Sequence, residues 1–260
     1  MKQKALIAMA VYDTEENGRT DLTKKTLESL EDTVNLNHHQ LFLIDNASWR
    51  STKDLLARFK ERNIKVQILT NTENIGTAKA INMAWAKADH DQPLVKMDND
   101  VVIHSDTWVE EMMEALERDA NIGIVGLKRK DLEEAPWKTG WYQSILKMLP
   151  QQKGQRWIVV EKVDHVMGTC QMYSPALINK IGGLYQMEGL YGFDDALAAV
   201  RCKLAGFYSC FLPHIEIDHI DPGGTDYTNW KVKYANQMTE AYNEAKINMQ
   251  GGSMPIFFPL

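Results

Sequence analysis

Apolar residues cluster in short continuous runs along the first hundred positions: Ala5–Val11, Leu41–Ile44, Val66–Leu69 and, with interruptions, Leu94–Ile103. Runs of this length bounded by polar clusters read as strands buried on both faces. Between them the spacing changes. Leu22, Thr26, Leu27, Leu30 and Val34 recur at helical intervals and predict an amphipathic helix over 21–34, and Leu55, Leu56 and Phe59 predict a second. A third helix should follow Gly76 through Ala84, Trp85 and Ala88. Three strand–helix units before a fourth strand at 94–103 imply an α/β fold: a mostly parallel central sheet with helices on both faces.

Beyond 103 the pattern predicts a helix carrying Trp108, Met112, Met113 and Leu116, capped by Ser105, Asp106 or Thr107, and then a strand over 121–127. Between 128 and 156, Trp137, Trp141, Tyr142, Ile145, Leu146 and Leu149 lie among lysines. Three readings stand there: core at helical spacing, a flap or acceptor platform, and a membrane-surface helix. Strands are expected over 157–160 and 163–167, and a helix over 175–181 ended by Gly182-Gly183. A further helix opens with Asp194-Asp195 and stops at Gly206, and 207–212 reads as a strand. One more helix is expected from Trp230 to Met249, followed by an apolar end that should pack on the body. The expected domain covers 1–220, with 1–103 as one half and 104–220 as the other, followed by a helical extension over 221–260.

Composition narrows the class. A chain of 260 residues with net charge −6 offers no general basic footprint, which disfavours nucleic acid as a partner. Cys170, Cys202 and Cys210 are widely spaced and read as reduced core residues. Lys2 and Lys4 before an apolar run resemble a signal peptide, but the run is short and reads better as a first strand. No stretch approaches the ~18–20 apolar residues that span a bilayer. The expected location is cytoplasmic, at most peripheral to a membrane.

The candidate chemistry begins at Asp98-Asn99-Asp100, two carboxylates interrupting an apolar run. In an extended segment they point to one side and could hold Mn²⁺ or Mg²⁺ beside a diphosphate, although a solvated turn would look the same. Asp45-Asn46-Ala47-Ser48 after the second strand falls where open α/β sheets place ligand groups. Gly76 permits close backbone approach at a helix entry that could face an anion.

These landmarks, with Asp194-Asp195 ahead of Arg201, Gly206 and His219, stand in one order. The arrangement resembles the family 2 glycosyltransferases of the GT-A fold, over about residues 4–220. The resemblance implies a donor site at Ala10, Tyr12, Asp45, Asn74, Gly76, Asn82, Asp98 and Asn99, with Asp45 accepting from the nucleobase. It implies metal ligation by Asp100, Asp98 and His219, and a catalytic base at Asp195, with Asp194 standing where Glu is usual. Ile81 stands where many members have Arg, so part of the donor grip falls to Lys79, Lys96 or the 128–156 segment.

The implied activity is metal-dependent, inverting transfer of a sugar from a nucleoside-diphosphate sugar to an acceptor hydroxyl. A UDP-sugar is the favoured donor, with GDP- and dTDP-sugars as alternatives. A saccharide, a lipid-linked saccharide or another hydroxyl compound would be the acceptor. Rival readings are a haloacid-dehalogenase-like phosphatase, whose motif normally ends the first strand, a nucleotidyltransferase, whose glycine-rich loop is missing, and a noncatalytic nucleotide-sugar-binding module.

Overall fold

The computed structural model describes residues 3–132, 144–151, 154–222 and 226–260. Strand and helix alternate through the first half: β1 (Leu6–Val11), α1 (Thr20–Thr33), β2 (Gln40–Asn46), α2 (Arg50–Arg62), β3 (Gln67–Asn71), α3 (Thr77–Trp85) and β4 (Leu94–Met97). β1 is apolar throughout because both its faces are covered. Ile7, Met9 and Val11 join a core with Leu27, Phe59 and Trp108, and Leu6 and Ala8 join one with Ile81, Trp85 and Leu177. Helices therefore occupy both sides, α1, α2 and α4 (Trp108–Arg118) on one and α3, α5 (Pro175–Ile181) and α6 (Asp194–Leu204) on the other.

The remaining strands are β5 (Val101–Ile103), β6 (Ile122–Arg129), β7 (Ser144–Met148), β8 (Val159–Val163), β9 (Cys170–Tyr173) and β10 (Tyr208–His219), and α7 spans Asp226–Gly251. The sheet order is β3-β2-β1-β4-β9-β6-β10-β8-β7, with β5 pairing β10 off that path. β1, β2, β3 and β4 are parallel, but β9 runs antiparallel to both β4 and β6. The sheet is thus mixed, not purely parallel. Its reversing strand is a four-residue segment that the apolar pattern did not mark, because Gln171 sits inside it. That amide is satisfied internally, donating to Val166 O at 2.6 Å and accepting from the Tyr173 hydroxyl at 2.8 Å.

The expected single strand at 94–103 is broken. After Met97 the Asp98 N–H still donates to Thr169 O at 3.0 Å, one step past the last β4–β9 pair, and the chain then resumes as β5, which pairs antiparallel with β10. Two carboxylates in a buried ladder would be costly, and the break lets each find its own surroundings. Three smaller differences are also present. β8 covers 159–163 and no strand covers 164–167. Ile145 and Leu146 lie on the edge strand β7, exposed, rather than on a helix, while Trp137, Trp141 and Tyr142 lie outside the described residues. α3 ends at Trp85, short of Ala88.

The apolar end does pack on the body. Phe258 N–H donates to Ile181 O at 2.9 Å and Gly183 N–H donates to Phe258 O at 2.8 Å. Arg201, buried in α6, donates to Ile256 O at 2.8 Å, to Gly183 O at 2.9 Å and to Ile181 O, and its guanidinium lies 4.9 Å from the Phe258 ring centroid. Burial lowers its pKa to about 10, still charged at neutral pH. The three cysteines are buried and unbridged.

Candidate active site

The C-terminal ends of β1, β2 and β4 open onto a cleft of about 680 Å³, closed on its far side by the start of α6 and by α7. Ala10, Tyr12, Asn74, Asp98, Asn99, Asp100, Asp194, Asp195 and His219 all line it. Asp45, Gly76 and Asn82 are not on its wall. Asp45 is buried and takes the Ser48 N–H at 2.7 Å, which folds the turn after β2. The Asn82 side chain makes two hydrogen bonds of 2.8 Å to the Leu184 backbone, tying α3 to the loop before α6. Gly76 adopts φ 89°, and a Cβ there would meet the Gln186 side chain at 2.5 Å. Gln186 Oε1 also accepts the Ala78 N–H at 3.0 Å, so this protein atom already occupies one of the amides that was expected to face an anion.

Asn46 emerges as the organiser of the rim beside β2 and β3. Its Nδ2 donates to Asn74 Oδ1 at 2.7 Å, and its Oδ1 accepts from Asn71 Nδ2 at 3.0 Å and from Ile75 N at 3.2 Å. Asp13 does similar work below Tyr12. Its carboxylate takes the Thr23 hydroxyl at 2.6 Å and Asn99 Nδ2 at 3.0 Å. Burial raises its pKa, against those hydrogen bonds and the Arg19 charge.

Asp98 and Asp100 answer to different neighbours. Asp100 is buried with His219 Nε2 3.6 Å away, and Asp221 completes a group whose ligand atoms lie within 4.8 Å of one another. Among the described residues this Asp100–His219–Asp221 group is the one able to hold a metal ion, and it does not include Asp98. Two carboxylates and an imidazole suit Mn²⁺ or another borderline divalent cation, so the donor set fits such an ion. Arg19 faces it, donating to Asp221 Oδ2 at 3.0 Å and pairing with Asp100.

Asp98 turns the other way. Lys96, buried in β4, lies 3.3 Å from Asp98 Oδ1, 3.3 Å from Asp194 Oδ2 and 3.0 Å from Gly168 O. Burial opposes its charge, but Asp194, Asp98 and Asp195 together hold its pKa well above the usual value. With these contacts Lys96 joins the two sides of the cleft, whose wall it also lines. Gly168 sits in this crowding, and a Cβ there would lie 2.6 Å from Lys96 Nζ and displace the amine. Asp195 Oδ2 accepts the Gly168 N–H at 2.9 Å and lies 3.2 Å from His165 Nε2. Burial would raise Asp195, but His165, Lys96 and the Gly168 amide outweigh it and hold the carboxyl well below the usual range. Just before the pair, Phe193 takes φ 61°, a conformation that costs about 1–2 kcal/mol outside glycine. Its ring stacks on Tyr242 of α7 at 4.5 Å, which offsets about 0.5–1.5 kcal/mol.

Sequence reasoning missed Arg19, Asp13, Asn46 as organiser, His165 and Asp221. Asp221 was within reach, since His219-Ile220-Asp221 repeats the i, i+2 spacing used at 98–100. Arg19 and His165 carry no local signal.

The sequence profile of glycosyl transferase family 2 matches residues 9–182, two thirds of the chain. The chain belongs to this family. Its fold is GT-A. It superposes on the mannosyltransferase PcManGT from Pyrobaculum calidifontis, in complex with GDP-Man and Mn²⁺, with TM-score 0.67 and 15% identity over 90% of this chain. GalNAc-T7 with UDP, GalNAc and Mn²⁺ gives 0.62 and 13% over 84%, and S. aureus TarS 1-349 with UDP-GlcNAc gives 0.57 and 15% over 86%. The family 2 chain spans only 61%, 44% and 62% of those three chains. No functionally curated protein matches its sequence. No helix among the described residues is long and apolar enough to cross a membrane.

Proposed function

We propose that this family 2 protein transfers a sugar from a nucleoside-diphosphate sugar to an acceptor hydroxyl, with inversion at the anomeric carbon. The observation that carries the reading is the pairing, across one cleft, of a carboxylate–imidazole group with an acidic pair at a helix start. Asp100, His219 and Asp221 would hold a divalent cation, Mn²⁺ favoured, which when bound supplies positive charge to the diphosphate leaving group. Similar structures carrying GDP-Man, UDP-GlcNAc, or UDP with GalNAc support a nucleotide-sugar donor.

This chain's own residues divide the remaining work. Tyr12 and the Asn46–Asn74 rim border the donor on the side of β1 and β2. Asp195 accepts the proton as the acceptor oxygen attacks. Phe193 and Tyr191 border the acceptor end, and the start of α7 closes it through Val232 and Ala235. The test is a thermal-shift and hydrolysis screen of UDP-, GDP-, dTDP- and CMP-sugars with and without Mn²⁺, followed by NMR of the product anomer. Turnover of one donor with inverted product is expected. Retention overturns the inverting mechanism, and no binding or turnover of any nucleotide-sugar overturns the function.

A further inference from the structure

The acidic pair at the start of α6 is balanced by two cations of different character. Asp194 faces Lys96, a buried amine that stays charged across the working range. Asp195 faces His165, whose ring is partly exposed while the Nε2 that meets the carboxylate is buried. His165 lies on the segment joining β8 to β9, and Gly168 of the same segment donates its N–H to the same Asp195 oxygen. One short loop thus grips the carboxylate twice, once with a fixed amide and once with a group that can change charge.

We infer that His165 is a positioning residue that gates Asp195: its imidazolium pins the carboxylate and weakens it as a base, and loss of that proton releases Asp195 to deprotonate the acceptor. The inference rests on the glycosyl-transfer reading. Asp195 rather than Asp194 is the gated carboxylate because His165 pairs with Asp195, while Asp194 pairs with Lys96. In the step itself the acceptor O–H breaks to Asp195, the acceptor oxygen bonds the anomeric carbon, and the sugar–phosphate electron pair leaves with the diphosphate.

The charges around His165 set where the gate opens. Asp195 and Asp194 face it from α6 and Lys96 from β4, while the adjacent Asp164 is held by Lys203 of α6 at 3.4 Å. Burial alone would lower the imidazole, but the two carboxylates outweigh burial and Lys96 together, so it titrates above the ordinary 6.5. Activity therefore rises with pH across a window above 6.5, as the imidazolium disappears.

Two measurements on the full chain test this. His165 is titrated by imidazole NMR in the wild type, Asp195→Asn and Asp194→Asn, which needs no donor. The pH dependence of kcat/KM is measured with Mn²⁺ and the nucleotide-sugar that turns over, in the wild type, His165→Gln and His165→Ala. The His165 titration should fall in Asp195→Asn by about one pH unit or more, and by less in Asp194→Asn. His165→Gln, which keeps a neutral polar side chain beside Asp195, should move the acid limb down by a similar amount. His165→Ala should lose roughly ten- to a hundredfold in kcat with donor KM little changed. A His165→Gln profile that superposes on the wild type while sugar transfer persists overturns the gate alone, as does a His165 titration unmoved by Asp195→Asn. Absence of turnover with every nucleotide-sugar overturns the transferase reading and the gate with it.

Discussion

Arg19, at the entry to α1, donates from Nη1 to Asp221 Oδ2 at 3.0 Å across 202 positions of sequence. Both side chains are buried, and the same guanidinium also pairs with Asp100. The protein thus carries an internal cation against the two carboxylates of its metal-capable group.

Removing that cation should cost stability in proportion to the buried charge it balances. Arg19→Met is expected to unfold about 3–5 kcal/mol more easily in EDTA. Mn²⁺ should recover more stability in the variant than in the wild type, because the ion then supplies the missing charge. Urea unfolding of both proteins with EDTA or Mn²⁺ decides this, and a variant as stable as the wild type in EDTA would sink the idea.

Asn82 and Asn74 separate an asparagine away from the cleft from one on its wall. Asn82→Ala should lose about 1–3 kcal/mol of stability, since the Leu184 N–H and C=O both lose their partner. Its affinity for a nucleoside diphosphate should stay within about twofold of the wild type, a change worth under half a kcal/mol. Asn74→Ala, on the cleft wall, should weaken that binding severalfold. Calorimetric titration alongside thermal unfolding would expose the reverse ranking.

How far the sequence spoke for the fold depended on whether a strand was buried on both faces. β1 and β2 are apolar almost throughout and were legible, whereas β9 hides Gln171 in the sheet by satisfying it internally. The break after Met97 was illegible because the strand that β5 turns to, β10, lies far along the chain. At the site, Asp100 and His219 were readable from ordered motifs, and the division of Asp98 from Asp100 was not. That division depends on Lys96 and Arg19, side chains that meet the triplet only in three dimensions.

Acid sensitivity should trace partly to Asp119, at the end of α4. Its carboxylate takes Lys147 at 2.5 Å, the Tyr208 hydroxyl at 2.8 Å and the Asn121 N–H at 3.0 Å. Burial would raise its pKa, but these partners outweigh it and hold the value at about 2. A carboxyl lowered on folding stabilises above its unfolded value of about 3.9 and loses that contribution as pH falls towards 2. The stability gap between the wild type and Asp119→Asn should therefore close between pH 5 and pH 2 in thermal scans. A constant gap would assign the effect to packing.

The clasp formed by Arg201 with Ile181, Gly183 and Ile256 also fixes the order in which the molecule can come apart. The last turn of α5 and the terminal residues share hydrogen bonds with each other and with a side chain of α6, so neither helix can open while the tail stays seated. Release of the tail is then the first subglobal opening on that side, and the Gly183 and Phe258 amides should exchange with solvent together. A protease that nips the last few residues would loosen the helix that carries Asp194 and Asp195 without touching the cleft.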